Sequence, residues 1–343
     1  MRDDKIKFMQ SLQTIKRRLR GVKSIGQITK AMELVAATKM RKSQEVALLS
    51  RPYAYAALEF LANLSRVSGS YTPPLLERRP VKKTAYVVMA SDKGLTGSFN
   101  SAVFRTFEKQ FAGETFGSPT SEDFRKSDFR MFIAVGQKAA SYLTRRMGGV
   151  ERSFIKFGDY TKIEEVRPLA DYLISGYLEK TWDRVLVFYT NFRSAMQQDV
   201  VMRELFPVTF EKLKETAEEI IPRTGRYAVE RHGALFREGS RPDSHRGEPR
   251  SLAQPVEREY IIEPSPEAVL TELAPHLIVM QVYHIILEAN ASEHAARRLA
   301  MKNASDNASD IVESLTLEYN KSRQANITKE LTEITAGAEA IQN

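Results

Sequence analysis

The chain has no cysteine and a single tryptophan among its 343 residues. The missing thiols exclude disulfides, thiolate metal sites and cysteine nucleophiles, and they fit a reducing compartment. Long apolar runs are missing too. The longest, residues 277–287, is interrupted by Gln281 and His284 and is too short to cross a hydrocarbon layer of about 30 Å. The N-terminus carries Asp3 and Asp4 and no apolar region, so we read no targeting segment there. No aromatic residue lies between Met9 and Arg51, which removes any stacking platform for single-stranded nucleic acid from that basic stretch. Residues 276–343 contain no proline, and Gly337 is their only glycine.

That last absence organises the rest. Residues 276–343 are rich in helix formers. As one helix they would reach about 100 Å at 1.5 Å per residue, more than a compact domain is wide. Ala304, Ala308, Ile311 and Leu315 recur at coiled-coil spacing, and so do Ile327, Leu331, Ile334, Ala338 and Ile341. The polar stretch 320–324 separates the two groups, and we expect the helix to change partners there. A second long helix is predicted from residue 11 to about 66, with Pro52 kinking it or starting a new segment. Its expected seam is Ile15, Leu19, Val22, Ile25, Ile28, Met32 and Val35. Residues 11–45 carry nine basic and two acidic side chains, whereas residues 290–343 carry six and eight. Matching seams and opposite charge balance point to an antiparallel pair.

Between the helices the sequence alternates β-rich and helical stretches. Strands are predicted at 84–90, 131–135, 154–157 and 184–189, and helices at 99–111, 137–146 and 163–178. This gives an α/β class: a long antiparallel coiled coil plus a doubly wound, Rossmann-like domain with a largely parallel sheet. The expected division is 1–66 for the first shaft helix, 80–265 for the α/β foot and 266–343 for the second shaft helix. Residues 232–255, rich in Gly, Pro, Ser and Arg, read as a mobile insertion in the foot. Ser265 and Pro266 mark a helix start.

Candidate chemistry is sparse. Ser91-Asp-Lys-Gly-Leu-Thr-Gly-Ser98 follows the first strand and opens a helix, a place where backbone N–H groups can hold phosphate. It matches neither G-x-G-x-x-G nor a P-loop, and we read it as a tight strand-to-helix turn. His276, His284 and His294 lack the i, i+4 spacing of a helical metal site, and nothing groups a serine and an aspartate with a histidine. No cofactor or metal is expected. The basic run Lys16-Arg-Arg-Leu-Arg20 could follow nucleic-acid phosphates, but it reads better as the solvated face of a coiled coil.

Four stretches carry a resemblance. Gln27-Ile-Thr-Lys-Ala-Met-Glu-Leu-Val-Ala-Ala-Thr-Lys-Met-Arg41, Ser91-Asp-Lys-Gly-Leu-Thr-Gly-Ser-Phe-Asn100 and Ala291-Ser-Glu-His-Ala-Ala-Arg-Arg-Leu-Ala-Met-Lys-Asn-Ala-Ser-Asp-Asn307 are three of them. The fourth runs from Leu317-Glu-Tyr-Asn-Lys-Ser-Arg-Gln-Ala-Asn326 on to Ile334. All resemble the gamma subunit of F-type ATP synthases. The resemblance implies a non-catalytic central rotor shaft, one copy per complex, that couples proton flow to the binding states of the beta subunits. Its partners would be the alpha and beta subunits of the hexamer, the epsilon (and delta) subunit and the membrane c-ring, with no nucleic acid. It implies a place on the cytoplasmic face of a bacterial inner membrane, or the matrix side of the mitochondrial one. By the same resemblance, Met32, Lys39, Arg41 and Lys42 face beta-subunit loops, and Arg323, Gln324 and Thr328 form a catch on a beta loop. Leu331, Ile334, Ala338 and Ile341 would turn in an apolar sleeve. The sequence departs from the family at Thr96 and Ser98, where Cys and Gly are common, and in extra length at 112–128 and 207–258. Without cysteine, the dithiol switch of the chloroplast type cannot operate. Two other readings stay open here: a nucleotide-binding α/β enzyme with helical extensions, and a basic coiled-coil nucleic-acid binder.

Overall fold

The computed structural model describes residues 12–49, 73–114, 130–158, 161–208 and 263–342. Five strands form one sheet: β1 (Thr84–Met89), β2 (Arg130–Val135), β3 (Arg152–Phe154), β4 (Arg184–Phe192) and β5 (Gln198–Phe206). Their spatial order is β3-β2-β1-β4-β5. The first four run parallel and β5 runs antiparallel to β4. β1 is buried on both faces, which is why it reads as a continuous apolar run rather than an alternating one.

Pleating sorts its side chains into two layers. Tyr86 and Val88 join Val103, Phe107 and Phe111 of α2 (Phe99–Glu114) and Leu143 of α3 (Gln137–Met147). Ala85, Val87 and Met89 join Leu169 and Leu173 of α4 (Ile163–Leu178), and Ile278, Val282 and Ile285 of α5 (Pro266–Gln342). Helices thus cover both faces, as expected for a doubly wound domain.

β5 was not foreseen. Its Asp199, Arg203 and Glu204 break the apolar pattern, because it is an edge strand with one half-solvated face. β3 lies slightly before the stretch expected for it, at Arg152–Phe154.

α5 spans 77 residues without a break. Its start is as read: Ser265 Oγ accepts from Ala268 N at 3.2 Å and the Ser265 carbonyl from Val269 N at 3.1 Å. An 18-residue window of this helix is apolar enough to cross a bilayer, but more than half of that window is buried inside the protein. The partner helix, α1, runs over Leu12–Leu49. The two pack lengthwise as an antiparallel coiled coil rising from the sheet.

The far end of the sheet is tied by one charged clamp. Arg79 Nε donates to Asp183 Oδ1 at 2.6 Å, and its Nη2 donates to the carbonyls of Tyr177 and Trp182. The other Asp183 oxygen accepts from the Lys82 and Lys83 amides. Burial by itself would raise the Asp183 pKa, but the two backbone amides and Arg79 outweigh it and hold the carboxyl below its usual range. Its stabilising contribution is therefore complete above about pH 4 and fades as pH falls through the depressed value. Asp183→Ala leaves Arg79 and two amides without their acceptor. Urea unfolding at pH 7 is expected to show a loss of about 3 kcal/mol, shrinking toward pH 3.

Candidate functional site

The coiled coil is narrower and better sheltered than its large apolar residues suggest. On α1 the residues turned inward are Ile15, Leu19, Val22, Gly26, Thr29, Glu33, Ala36, Met40 and Ser43, an unbroken 4-3 alternation. The expected seam leaves this register after Val22. Ile25 (55% exposed), Ile28 and Val35 point outward instead. The physical reason is axial closeness. A Cβ on Gly26 would stand 3.3 Å from the Cβ of Ala308, so small side chains must line this contact. Thr29 enters the seam because its hydroxyl is satisfied by the Ile25 and Gly26 carbonyls, at 3.1 and 3.0 Å. Glu33 enters with Lys30 at 2.9 Å.

On α5 the inward row is Met301, Ala308, Val312, Leu315, Tyr319, Ser322 and Asn326. Val312 takes the place expected of Ile311, which is 47% exposed. The seam runs on through the polar stretch 320–324 by way of Ser322 and Asn326. The helix loses its cover only after Asn326, and every described side chain from Ile327 to Gly337 is exposed.

The candidate contact residues fall into three groups. Met32 and Lys39 are half-buried on one flank of α1, seven residues apart. Arg41 lies about 200° round the helix from Lys39, and Lys42 faces outward with Glu45 at 3.2 Å. Met32, Lys39 and Lys42 thus lie within an arc of about 80° on one flank of α1, and Arg41 stands apart on the other side. Arg323, Gln324 and Thr328 are all exposed on α5, and the Thr328 hydroxyl donates to the Gln324 carbonyl at 3.0 Å. Leu331 and Ile334 are 58% and 67% exposed, a large apolar surface at the tip. Ala338 and Ile341 belong to the same helix, but their side chains lie outside the described set. The insertion at 232–255 and most of the extra length at 112–128 lie outside the described residues.

The Ser91–Asn100 turn is closed on itself. Asn100 Oδ1 accepts from Ser91 N at 2.9 Å, and Asn100 Nδ2 donates to Ser91 Oγ and Thr96 Oγ1. Asp92 fills the position a phosphate would take. One of its oxygens accepts from Gln137 N at the start of α3, at 2.8 Å, and the other from Lys156 N at 2.9 Å. In a doubly wound sheet, ligands enter the crevice where strand order reverses, here between β1 and β4. That crevice is taken by α5, whose Ser292 hydroxyl donates to the Thr190 carbonyl at 3.1 Å. A cavity of about 40 Å³ remains beside it, an order of magnitude below the several hundred a cofactor needs. Among the described residues no three His, Asp or Glu side chains come together as a metal site.

The sequence reading missed a polar cluster where α5 crosses β4 and β5. His284 Nε2 pairs with Glu288 Oε1 at 3.1 Å; the His284 side chain is buried and that of Glu288 largely so. Burial alone would raise the Glu288 pKa. The hydrogen bond and charge of His284 and the charge of Arg203 hold it low. The signal was a His–Glu pair at i, i+4 inside an otherwise apolar helix.

Comparison with known proteins decides between the readings. The ATP synthase family model matches residues 11–341. The ATP synthase gamma chain of Moorella thermoacetica is 35% identical over 334 residues, covering 97% of this chain and all of the relative. This chain belongs to the ATP synthase gamma-chain family. The gamma chain of a Synechococcus strain is 37% identical, with 97% and 99% coverage. In fold, this gamma-family chain is similar to a chain in the rotor structure of Euglena gracilis mitochondrial ATP synthase. The TM-score is 0.56 at 16% identity, with 92% of this chain and 98% of that one covered. As a gamma-family member it is a non-catalytic subunit of a membrane-associated ATP synthase, and its partners are other chains of that complex.

Proposed function

We propose that the chain turns as the central shaft of an F-type ATP synthase, coupling proton flow through a c-ring to the cycling of catalytic beta subunits. One observation carries the reading: a coiled coil whose middle is closed by small residues, with Ile25, Ile28, Val35 and many basic side chains turned outward. Such a rod is soluble only inside a sleeve. The alpha and beta subunits supply that sleeve, and the foot meets the epsilon (and delta) subunit and the ring, one copy per complex. The placement that fits is the cytoplasmic face of a bacterial inner membrane, where close relatives in sequence are bacterial.

Within this reading Arg323, Gln324 and Thr328 form the catch. They are exposed on the flank of the seam around Asn326, where α5 loses its cover, and Arg323 offers a planar donor fork to a beta-loop carboxylate. Leu331, Ile334, Ala338 and Ile341 form the apolar bearing beyond it. In the assembled complex, Arg323→Ala with Gln324→Ala is expected to lower ATPase turnover about tenfold, the effect of losing roughly 1.4 kcal/mol of charge-assisted bonding. Assembly should be intact; undiminished turnover would rule the catch out.

The basic residues of α1 act on acidic beta loops from two sides. Lys39, Arg41 and Lys42 all changed to Glu should abolish most coupled ATP synthesis in membrane vesicles. The defect should ease at high salt, because exposed charges are screened beyond about 8 Å at physiological strength. Unchanged synthesis would show that these charges are merely solvated.

A further inference from the structure

A shaft driven from its foot needs more than adhesion at the joint. Most of the contact between α5 and the sheet is apolar: Ile278, Val282, Ile285 and Ile286 pack into the layer of Val187 and Leu169. Apolar burial is non-directional, so it resists separation but does little to fix an angle about the helix axis. Hydrogen bonds and ion pairs do fix angles.

Two rows of polar contacts join α5 to the base. Tyr283 and Asn290 are seven residues apart and share one side of the helix. The Tyr283 hydroxyl donates to the Thr161 carbonyl at 3.2 Å, and Asn290 Nδ2 donates to Thr161 Oγ1 at 2.9 Å. The Thr161 hydroxyl is itself bonded to the Gly158 carbonyl at 2.6 Å. His284, Glu288 and Ser292 are four apart and form the second row. Ser292 donates to the Thr190 carbonyl of β4, while Glu288 pairs with His284 along the helix and lies in the charge field of Arg203 of β5. At 100° per residue the second row lies roughly 100–180° round from Tyr283, and the buried stripe fills the arc between the rows on the sheet side. One row grips the segment that leads into α4; the other grips β4 and β5.

We propose that these two rows key the shaft to its base against rotation, with Asn290 and Ser292 as the positioning residues of the joint. The proposal rests on the rotor reading. Losing either row leaves the apolar contact and the fold in place but lets the base twist round α5 under load.

The test uses the complete complex, held by its hexamer, with a bead on the base through Lys109→Cys. Lys109 is exposed on α2, and the cysteine would be the chain's own sole thiol. Angular spread of the bead is recorded during the pauses of ATP-driven rotation. Ser292→Ala with Asn290→Ala should widen that spread about twofold and lower proton pumping per ATP, with unloaded hydrolysis almost unchanged. A spread equal to that of the unmodified chain would overturn the proposal, even if thermal stability fell. Should this pair not assemble, Tyr283→Phe with Asn290→Ala removes only the half-exposed row and is judged by the same spread. If the bead does not rotate on the unmodified complex, the rotor reading itself has failed.

Discussion

Replacing Gly136 by alanine is expected to lower the stability of the full chain by about 4 kcal/mol, with a fall in Tm of about 10 °C. Gly136 has φ +92°, a left-handed backbone that an L side chain enters at a cost of about 1–3 kcal/mol. It also stands where three elements meet. Its amide donates to the Phe154 carbonyl at 2.8 Å, and its own carbonyl accepts from Ala140 N as α3 begins. A Cβ there would lie inside the contact distance of the Ala90 carbonyl oxygen, which is backbone and cannot swing away. Overpacking of this kind adds roughly 1–3 kcal/mol. Gly149→Ala is the control, because nothing lies within 4 Å of its would-be Cβ. Thermal unfolding of the two variants side by side should separate them; near-equal melting would mean that β1 and β2 part easily at this point.

The second large effect is graded. Gly26→Ala should change stability by no more than about 1 kcal/mol, because a gain in helix propensity offsets the tight approach to Ala308. Gly26→Leu should drive the helices apart, remove burial from Ile15 to Met40 on one side and from Met301 to Leu315 on the other, and leave the shaft too thick for its sleeve. The expected readout is an assembled complex with proton-driven synthesis reduced more than about tenfold, or no assembly. Equal activity in the alanine and leucine variants would mean that the two helices do not touch at this level in the working complex.

These two glycines also mark where sequence reasoning stopped. The strands β1, β2 and β4 announced themselves as apolar runs because both faces of the sheet are covered. Ser265 and Pro266 announced the start of α5 because capping is a local matter. The family motifs at 27–41 and 291–326 carried the identity. The register of the shaft was not legible in the same way. Hydrophobicity favours Ile25, Ile28 and Val35, but two closely packed helices need Gly26, Thr29 and Ala36 between them, and that requirement appears only when both helices are present. β5 was hidden by its charges, which an edge strand tolerates. Asp92 was quoted within its turn, yet its partners Gln137 and Lys156 lie 45 and 64 residues away. Arg203 and Glu288 likewise meet only through the sheet. The candidate contact residues were placed by resemblance, and the structure adds what resemblance could not: Arg41 stands apart from Met32, Lys39 and Lys42.

The pairing of α1 with α5 has a consequence for synthesis. Gly26 and Ala308 meet across 282 positions of sequence. At about 5–20 residues per second, the ribosome takes roughly 14–56 s to make the second after the first. All that time the inward row of α1 has nothing to lie against. The sheet can close much earlier, since β1 to β5 and α4 precede α5 in the chain, and α5 itself completes the sheet's second layer before its distal half can reach α1. Helix α1 is thus among the last surfaces to be buried, and the nascent chain carries its apolar stripe open to chaperones, neighbours or a waiting hexamer through most of the synthesis that follows it.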